Sequence, residues 1–359
     1  MHFDARFEHV ESAAALEPRW RAVEAQAGED SPFFLRWTWI GSWLSALEKA
    51  AIGLPQLLAM SQDGRDRALA LIGEGRARYK LGSVPAVWLN ESGHDDGDRP
   101  FIEYNGLLCS KADKPAALHS FGEAMGRRQD WRVLHLSGVE FGTRLPDLSG
   151  IRRRRLRDAS PSYYVDLNKV YEAGGDYLSL LSANTRGQIK RSLKDEPGHL
   201  ALDRAQDDAC IDLWLDDMAR LNRGRHVGNA WDNGFFRDFV WRIAHAGLAD
   251  GTVELLRIAS GGEETVGYLL NFIWAGRAMN YQSAFAPPRT AKSKPGLMCH
   301  AAAVTRYADA GLGRYSLLAG KDRYKHSLST GAEELNWWAL ERFDVRLEIE
   351  AAARRLFSR

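Results

Sequence analysis

Apolar residues recur along the chain at two spacings, every second position in some stretches and every third or fourth in others, and the switches mark off the elements. The second half shows this more clearly. Residues 200–205 read as a short strand. Asp207 then has the side chain to cap a helix whose apolar positions are Ile211, Trp214, Leu215, Met218 and Leu221. A second helix follows Asn233, with Phe236, Phe239, Val240 and Ile243 on one face. Three strands come next. Residues 252–259 run into the glycine-rich turn 260–264; 265–274 alternate so that Val266, Tyr268, Leu270, Phe272 and Trp274 share a face; 278–285 put Met279, Tyr281, Ser283 and Phe285 together. Beyond a loop of prolines and lysines, Leu297, Ala301, Val304 and Ala308 repeat at helical spacing, and Gly311 or Gly313 ends that helix. A buried strand at 315–318, a polar segment and a strand at 336–345 complete the half.

The first half repeats this order less sharply. A strand at 3–9, helices around 12–27 and 35–49, a hairpin of 57–61 and 68–73, a strand at 101–108, a helix at 115–128 and a strand at 131–136 follow one another. The repeat predicts an α/β (α+β) protein of two tandem units, each a mixed, mostly antiparallel sheet flanked by helices. The first unit is expected at 1–150, the second at 160–345 and a closing helix at 346–359, with the joint near 148–161. A chain of 359 residues suits two cores better than one.

Composition removes several classes of function. Hydrophobic residues make up 45% and charged residues 26%, an ordinary globular balance, and no stretch nears the roughly 20 apolar residues that span a bilayer. Membrane insertion is therefore not expected. The N-terminal residues carry acids and lack an apolar segment, so a cytoplasmic location is expected. A net charge of +1 makes no case for DNA. Cys109, Cys210 and Cys299 are too scattered for a disulfide frame or a zinc site, and no metal is expected.

Several strings resemble a known family. The serine-proline-phenylalanine start and tryptophan-rich helix at 31–47, the arginine-bearing segment 182–194, and the stretch from Tyr281 through Pro295-Gly296, Gly311 and Gly320 to Tyr324-Lys325 are similar to the tandem GNAT-fold acyltransferases of cellulose and exopolysaccharide biosynthesis, relatives of the Fem-type aminoacyl transferases. The resemblance covers nearly the whole chain and is dense over 180–330. It implies transfer of an acyl group from a thioester or an aminoacyl ester to an amine, with the working site in the second half.

Against that resemblance, three clusters carry the candidate chemistry. The loop 286–296 joins a strand to a helix start, where free N–H groups and the helix dipole favour phosphate, and Arg289, Lys292 and Lys294 add cations. With Pro295, Gly296 and Leu297 these are the candidate donor-binding residues; a plain surface loop is the alternative. Only one glycine stands here, where common GNAT loops have two. Next, Thr185 and Gln188 fit a capping box opening a helix that bears Arg186, Lys190 and Arg191 as candidate substrate contacts. Cations in a first turn oppose the dipole, so an anion could face them; a solvated basic face explains them equally well. Finally, Tyr324-Lys325 matches a tyrosine- or phenylalanine-lysine pair of Fem-like enzymes, which implies that Lys325 stabilises developing negative charge. Asp322 could orient Lys325 or take the amine's proton, and Tyr324 could protonate the leaving group.

Tyr281 and Ser283 could point into an acyl cleft, and Asn271 is a polar residue in an apolar strand. The arginine run 151–157 reads as a solvated segment between units, and His226 as loop surface. The leading expectation is acyl-CoA as donor and a small amine, an amino acid or amino sugar, as acceptor. An aminoacyl-tRNA donor and a non-catalytic polymer-binding role are the alternatives.

Overall fold

A computed structural model describes residues 2–225, 228–261 and 264–357. The chain forms two compact units, Met1–Ala159 with Leu335–Arg359, and Ser160–Glu334. His226, and part of the turn expected at 260–264, lie outside the described residues.

The first unit opens with strand β1 (Asp4–Glu8) and helices α1 (Ala13–Ala27) and α2 (Trp37–Lys49). Ser12 caps α1 by accepting from the Ala15 N–H. Apolar residues lie all round α2, and Trp39, Ile40, Trp43 and Leu44 are buried, as expected of a helix enclosed by its neighbours. Strands β2 (Gln56–Gln62), β3 (Arg65–Tyr79) and β4 (Gly82–Leu89) form a meander. A two-residue β5 (Leu108–Cys109), helix α3 (Lys114–Arg127), β6 (Val133–Glu140) and the long β7 (Ile151–Asp166) follow. Residues 82–89 form a strand, despite Gly82 and Pro85, that the sequence pattern does not single out, whereas 101–107, expected within a strand, do not. There Phe101 and Tyr104 adopt positive φ, and Asn105 spans between strands: its N–H donates to the Gly138 carbonyl and its side-chain amide to the Leu89 carbonyl.

In the second unit, α4 (Leu167–Glu172) and α5 (Ala183–Lys194) precede β8 (Leu200–Arg204), α6 (Asp208–Asn222) and α7 (Gly234–Asp250). Asp207 and Asn233 cap α6 and α7, as their positions predict. Strands β9 (Val253–Ser260), β10 (Glu264–Trp274) and β11 (Arg277–Phe285), helix α8 (Pro295–Asp309), β12 (Arg314–Ala319) and the short α9 (Arg323–Leu328) complete it. The sheet runs β7, β12, β11, β10, β9, β8. One of its faces packs on α5 and α8 through Ile189, Met298, Cys299 and Val304.

Simple alternation fails at two bulges. The β9–β10 register shifts between Thr265 and Gly267, so Val266 joins the α8 core, whereas Phe272 stacks with Tyr281 at 4.8 Å. Between β10 and β11, Leu270 pairs with Gln282 and Asn271 with Asn280, which passes over Tyr281. Tyr281 consequently lies among Phe236, Phe239 and Phe272, while Phe285 turns to the α8 side against His300.

The chain returns to the first unit within β13 (Gly331–Arg342) and ends in α10 (Val345–Phe357). Residues 335–345, expected in the second unit, belong to the first because Leu335–Glu341 pair with Val133–Glu140 of β6. Periodicity finds a strand but names no sheet for it. The arginine run is likewise part of a strand. Arg153 and Arg155 share a face and pair with the fully buried Glu341, so Arg152, Arg154 and Arg157, which are exposed, match the solvated segment expected and these two do not.

Candidate functional site

Two parallel strands of the second unit part company at its centre. β11 pairs with β12 only through Arg277–Arg314, Ala278–Tyr315 and Met279–Ser316. Beyond that, residues 280–285 of β11 have no ladder partner across the seam among the described residues. Two carbonyls of this length, Ser283 and Phe285, accept from the side chains of Asn222 and Arg225.

Past the end of β12 the chain turns at Gly320 and starts α9 with Asp322, Tyr324 and Lys325. Gly320 has a φ of 155°, which favours glycine, and a Cβ there would lie 2.7 Å from Lys325 Nζ and 3.1 Å from Asp322 Oδ2, displacing both side-chain ends. Lys325 Nζ donates to the Ala319 carbonyl at 2.7 Å. The Tyr324 ring stacks on His300 at 5.8 Å and keeps 39% of its surface open. Burial, then the Asp322 carboxylate, push the Tyr324 phenol up to about 12, so it is a proton donor at neutral pH. His300 is fully buried on α8 and shares a hydrogen bond with Tyr315 Oη at 2.8 Å; its Nε2 has no partner. Burial first and the Lys325 charge second bring His300 down to about 3, which keeps the ring neutral.

The loop 286–296 is held from below by acids. Ser293 and Thr290 hydroxyls donate to Asp195 at the end of α5, at 2.6 and 3.1 Å, and those bonds hold that carboxyl below its usual range. The Lys294 N–H donates to Ser192. Arg289 is ion-paired with both Glu196 and Glu264, so much of its charge is already balanced. Lys292 and Lys294 remain exposed, and α8 begins at Pro295. Gly296 is needed for packing: a Cβ there would meet the Phe285 ring at 3.0 Å. Leu297 is buried in the α8 core.

Other candidates are dispersed. Asn271 is fully buried and accepts from Asn280, which in turn accepts from Ser283 Oγ at 2.8 Å. The structure thus links Asn271 and Ser283 through one unforeseen residue, while Tyr281 sits in the aromatic layer described above. Helix α5 starts earlier than its capping pattern suggests: Ser182 caps it and Thr185 is the donor of that bond. Arg191 and Lys194 then fall in the last turn, where the dipole favours cations. Neither needs an anion, and Lys190 is exposed beside them while Arg186 reaches toward the Ser179 carbonyl.

These features fall in a recognised stretch. Residues 182–326 match the acetyltransferase (GNAT) domain family. This is a GNAT fold. The domain makes the chain an acyltransferase. Among solved structures, FemX aligns over 99% of this chain and 100% of its own with a TM-score of 0.57 at 10% identity. The C-terminal domain of a putative lysylphosphatidylglycerol synthetase from Agrobacterium fabrum aligns over 96% and 97%, TM-score 0.56, at 13% identity. L-PGS from Bacillus licheniformis aligns over 98% and 99%, TM-score 0.56, at 10% identity. At such identities the likeness is one of fold. No curated protein sequence matches the chain.

Within the GNAT domain, sequence reasoning missed His300 and Asn280. His300 sits between Cys299 and Ala301 in a helix of small and apolar residues, and an imidazole there was a visible signal. Asn280 was hidden, since its role depends on the bulge. In the first unit, His2, His119 and Glu123 bring three donor groups within 4.8 Å of one another, exposed, a group that sequence spacing conceals. No helix among the described residues is long and apolar enough to cross a membrane.

Proposed function

We propose that the second unit transfers an acyl group from acyl-CoA to the primary amine of a small molecule, an amino acid or amino sugar, by direct attack of the amine. The parted strands carry this reading. A strand edge with no ladder partner suits an extended, amide-bearing arm, which can add to it as a strand would. Such an arm would run from the exposed Lys292 and Lys294 at the start of α8 toward Tyr324 and Lys325. Lys325 would stabilise the negative charge that develops on the attacked carbonyl. Tyr324, protonated at neutral pH, would donate to the leaving thiolate, and Asp322 would take the amine's proton. No covalent acyl-enzyme enters this scheme; positioning supplies most of the acceleration. A cytoplasmic setting is compatible with it.

Aminoacyl-tRNA is the second reading. It is favoured by Arg289, whose pairing with Glu196 and Glu264 takes the strongest cation from a pyrophosphate site, and by the whole-chain likeness to FemX and to lysylphosphatidylglycerol synthetase. Calorimetry with acetyl-CoA and a longer acyl-CoA separates the two. Saturable binding that weakens in the Lys292→Ala/Lys294→Ala double variant supports the first. Absence of binding by any acyl-CoA would overturn it and make charged tRNA the donor to test.

A further inference from the structure

Where β1 meets helix α3 in the first unit, three metal-ligating side chains converge. His119 and Glu123 stand one turn apart on α3 and so project from the same face. His2 lies just ahead of β1, beside a residue that the helix holds: the Phe3 N–H donates to the buried Ser120 hydroxyl at 2.9 Å. That bond brings the His2 ring over the helix. His2 Nε2 lies 3.6 Å from Glu123 Oε2 and His119 Nε2 lies 3.5 Å from Glu123 Oε1, with the two rings edge to face at 5.8 Å. One ligand atom from each residue falls within 4.8 Å of the other two.

Two observations separate this group from a patch of surface charge. The first is spacing. Atoms that hold a tetrahedral ion at about 2.0–2.1 Å stand about 3.3 Å from one another, and both histidine–carboxylate separations are already close to that edge. The last approach is a rotation of two exposed rings. The second is orientation. His2 Nδ1 lies 3.5 Å from Ser120 Oγ, so Nε2 is the nitrogen turned to Glu123, and a buried hydroxyl behind an imidazole is the kind of outer partner that fixes a metal ligand. Charge balance does not require the histidines, because Arg127 already pairs with Glu123 at 3.1 Å, through an exposed side chain that an ion can displace. Two imidazoles and a carboxylate suit an ion of the zinc kind rather than magnesium, and they leave a position open to water.

We infer that His2, His119 and Glu123 bind one divalent ion of the zinc kind, which ties the start of the first unit to α3. The site is independent of the proposed acyl transfer, whose residues all belong to the second unit. Spacing along the chain hides it, since His2 and His119 are brought together only by the packing of β1 on α3.

Calorimetry of the full chain, without an affinity tag and after removal of metals by a chelator, tests the site with Zn2+ as the probe and Mg2+ as the control. Zn2+ should bind saturably at one equivalent, and Mg2+ should not bind. His119→Gln and Glu123→Gln should each weaken Zn2+ by about 10-fold or more, since loss of even an outer-shell partner usually costs that much. Neither side chain is buried, so in chelator both variants should melt as the parent does. His245, held between Asp208 and Asp212, is a competing group in the second unit, and His245→Gln should leave the affinity unchanged. Excess Zn2+ should also slow amide exchange along residues 4–8 of the parent, and not of His119→Gln, because the ion links β1 to the helix. Absence of Zn2+ binding, undiminished affinity in both α3 variants, or a loss in His245→Gln equal to theirs would overturn the inference. Unchanged exchange along β1 in the zinc-bound parent would overturn the tie.

Discussion

Each unit contains a short parallel seam, and the two seams have met different ends. In the first, Ala86, Val87 and Trp88 of β4 pair with Val133, Leu134 and His135 of β6; in the second, Arg277–Met279 of β11 pair with Arg314–Ser316 of β12. A helix with proline at its start, α3 or α8, lies between the strands in both. Beyond three pairs, the first seam is filled by the protein itself: Asn105 bonds to Leu89 and Gly138, and Asn90 donates to Asn105 and to the Gly106 carbonyl. Along the second seam, among the described residues, the Ser283 and Phe285 carbonyls accept from Asn222 and Arg225 and the Gln282 carbonyl from Asn280, with no segment of backbone laid between the strands. The titratable groups of the two seams differ as well. Near the first lie the carboxyls of Glu91 and Asp98, both raised above their usual range; near the end of the second lie Lys325 and Tyr324. One layout is closed by the protein's own loop in one unit and keeps an unpaired strand edge in the other.

Lys325→Ala should break this contrast most severely. Activity should fall about 100-fold or more, the usual cost of losing a group that stabilises an oxyanion, while acyl-donor affinity holds. A similar loss of donor affinity in calorimetry would show that Lys325 binds the donor. Asn105→Ala should do the opposite, since it leaves the Leu89 carbonyl and the Asn90 amide short of partners. Urea unfolding should register a loss of about 1–3 kcal/mol, with kcat of the folded enzyme unchanged. A change in kcat would mean that the first unit takes part in the chemistry.

Glu91 sharpens the difference through pH. Burial and then Asp98 raise its carboxyl from 4.5 to about 8, against the pull of the Ser137 hydroxyl. In the unfolded chain it ionises near 4.5, so between these values unfolding releases a proton and stability falls as pH rises. Glu91→Gln should flatten that decline and raise the melting temperature at pH 8 by about 2–4 °C. His300 has the opposite sign. Its folded pKa near 3 lies below the unfolded value, so its contribution is present above pH 6.5 and is lost as pH falls toward 3. His300→Gln should soften the acid limb of a melting-temperature profile. The smallest effect belongs to Arg289→Ala, which should change acyl-CoA affinity by less than about 5-fold, because Glu196 and Glu264 already balance its charge. A larger loss would return Arg289 to the donor site.

Local chemistry determined much of this protein. Asp207 and Asn233 marked helix starts because a short acceptor side chain before an apolar repeat has few other uses, and the β9–β10–β11 meander was legible from alternation and glycine turns. Gly320, Asp322, Tyr324 and Lys325 stood together in sequence and stand together in space. What the tertiary structure alone decided lay wherever distant residues meet. Ser182 took the cap that Thr185 promised, the bulge sent Tyr281 to the opposite face from Phe285, and β13 joined the sheet of the first unit. Arg289 found Glu196 and Glu264, respectively 93 and 25 positions away. A charge written in a sequence is free; whether it stays free depends on which opposite charge the fold brings within reach, and neither spacing nor composition contains that distance.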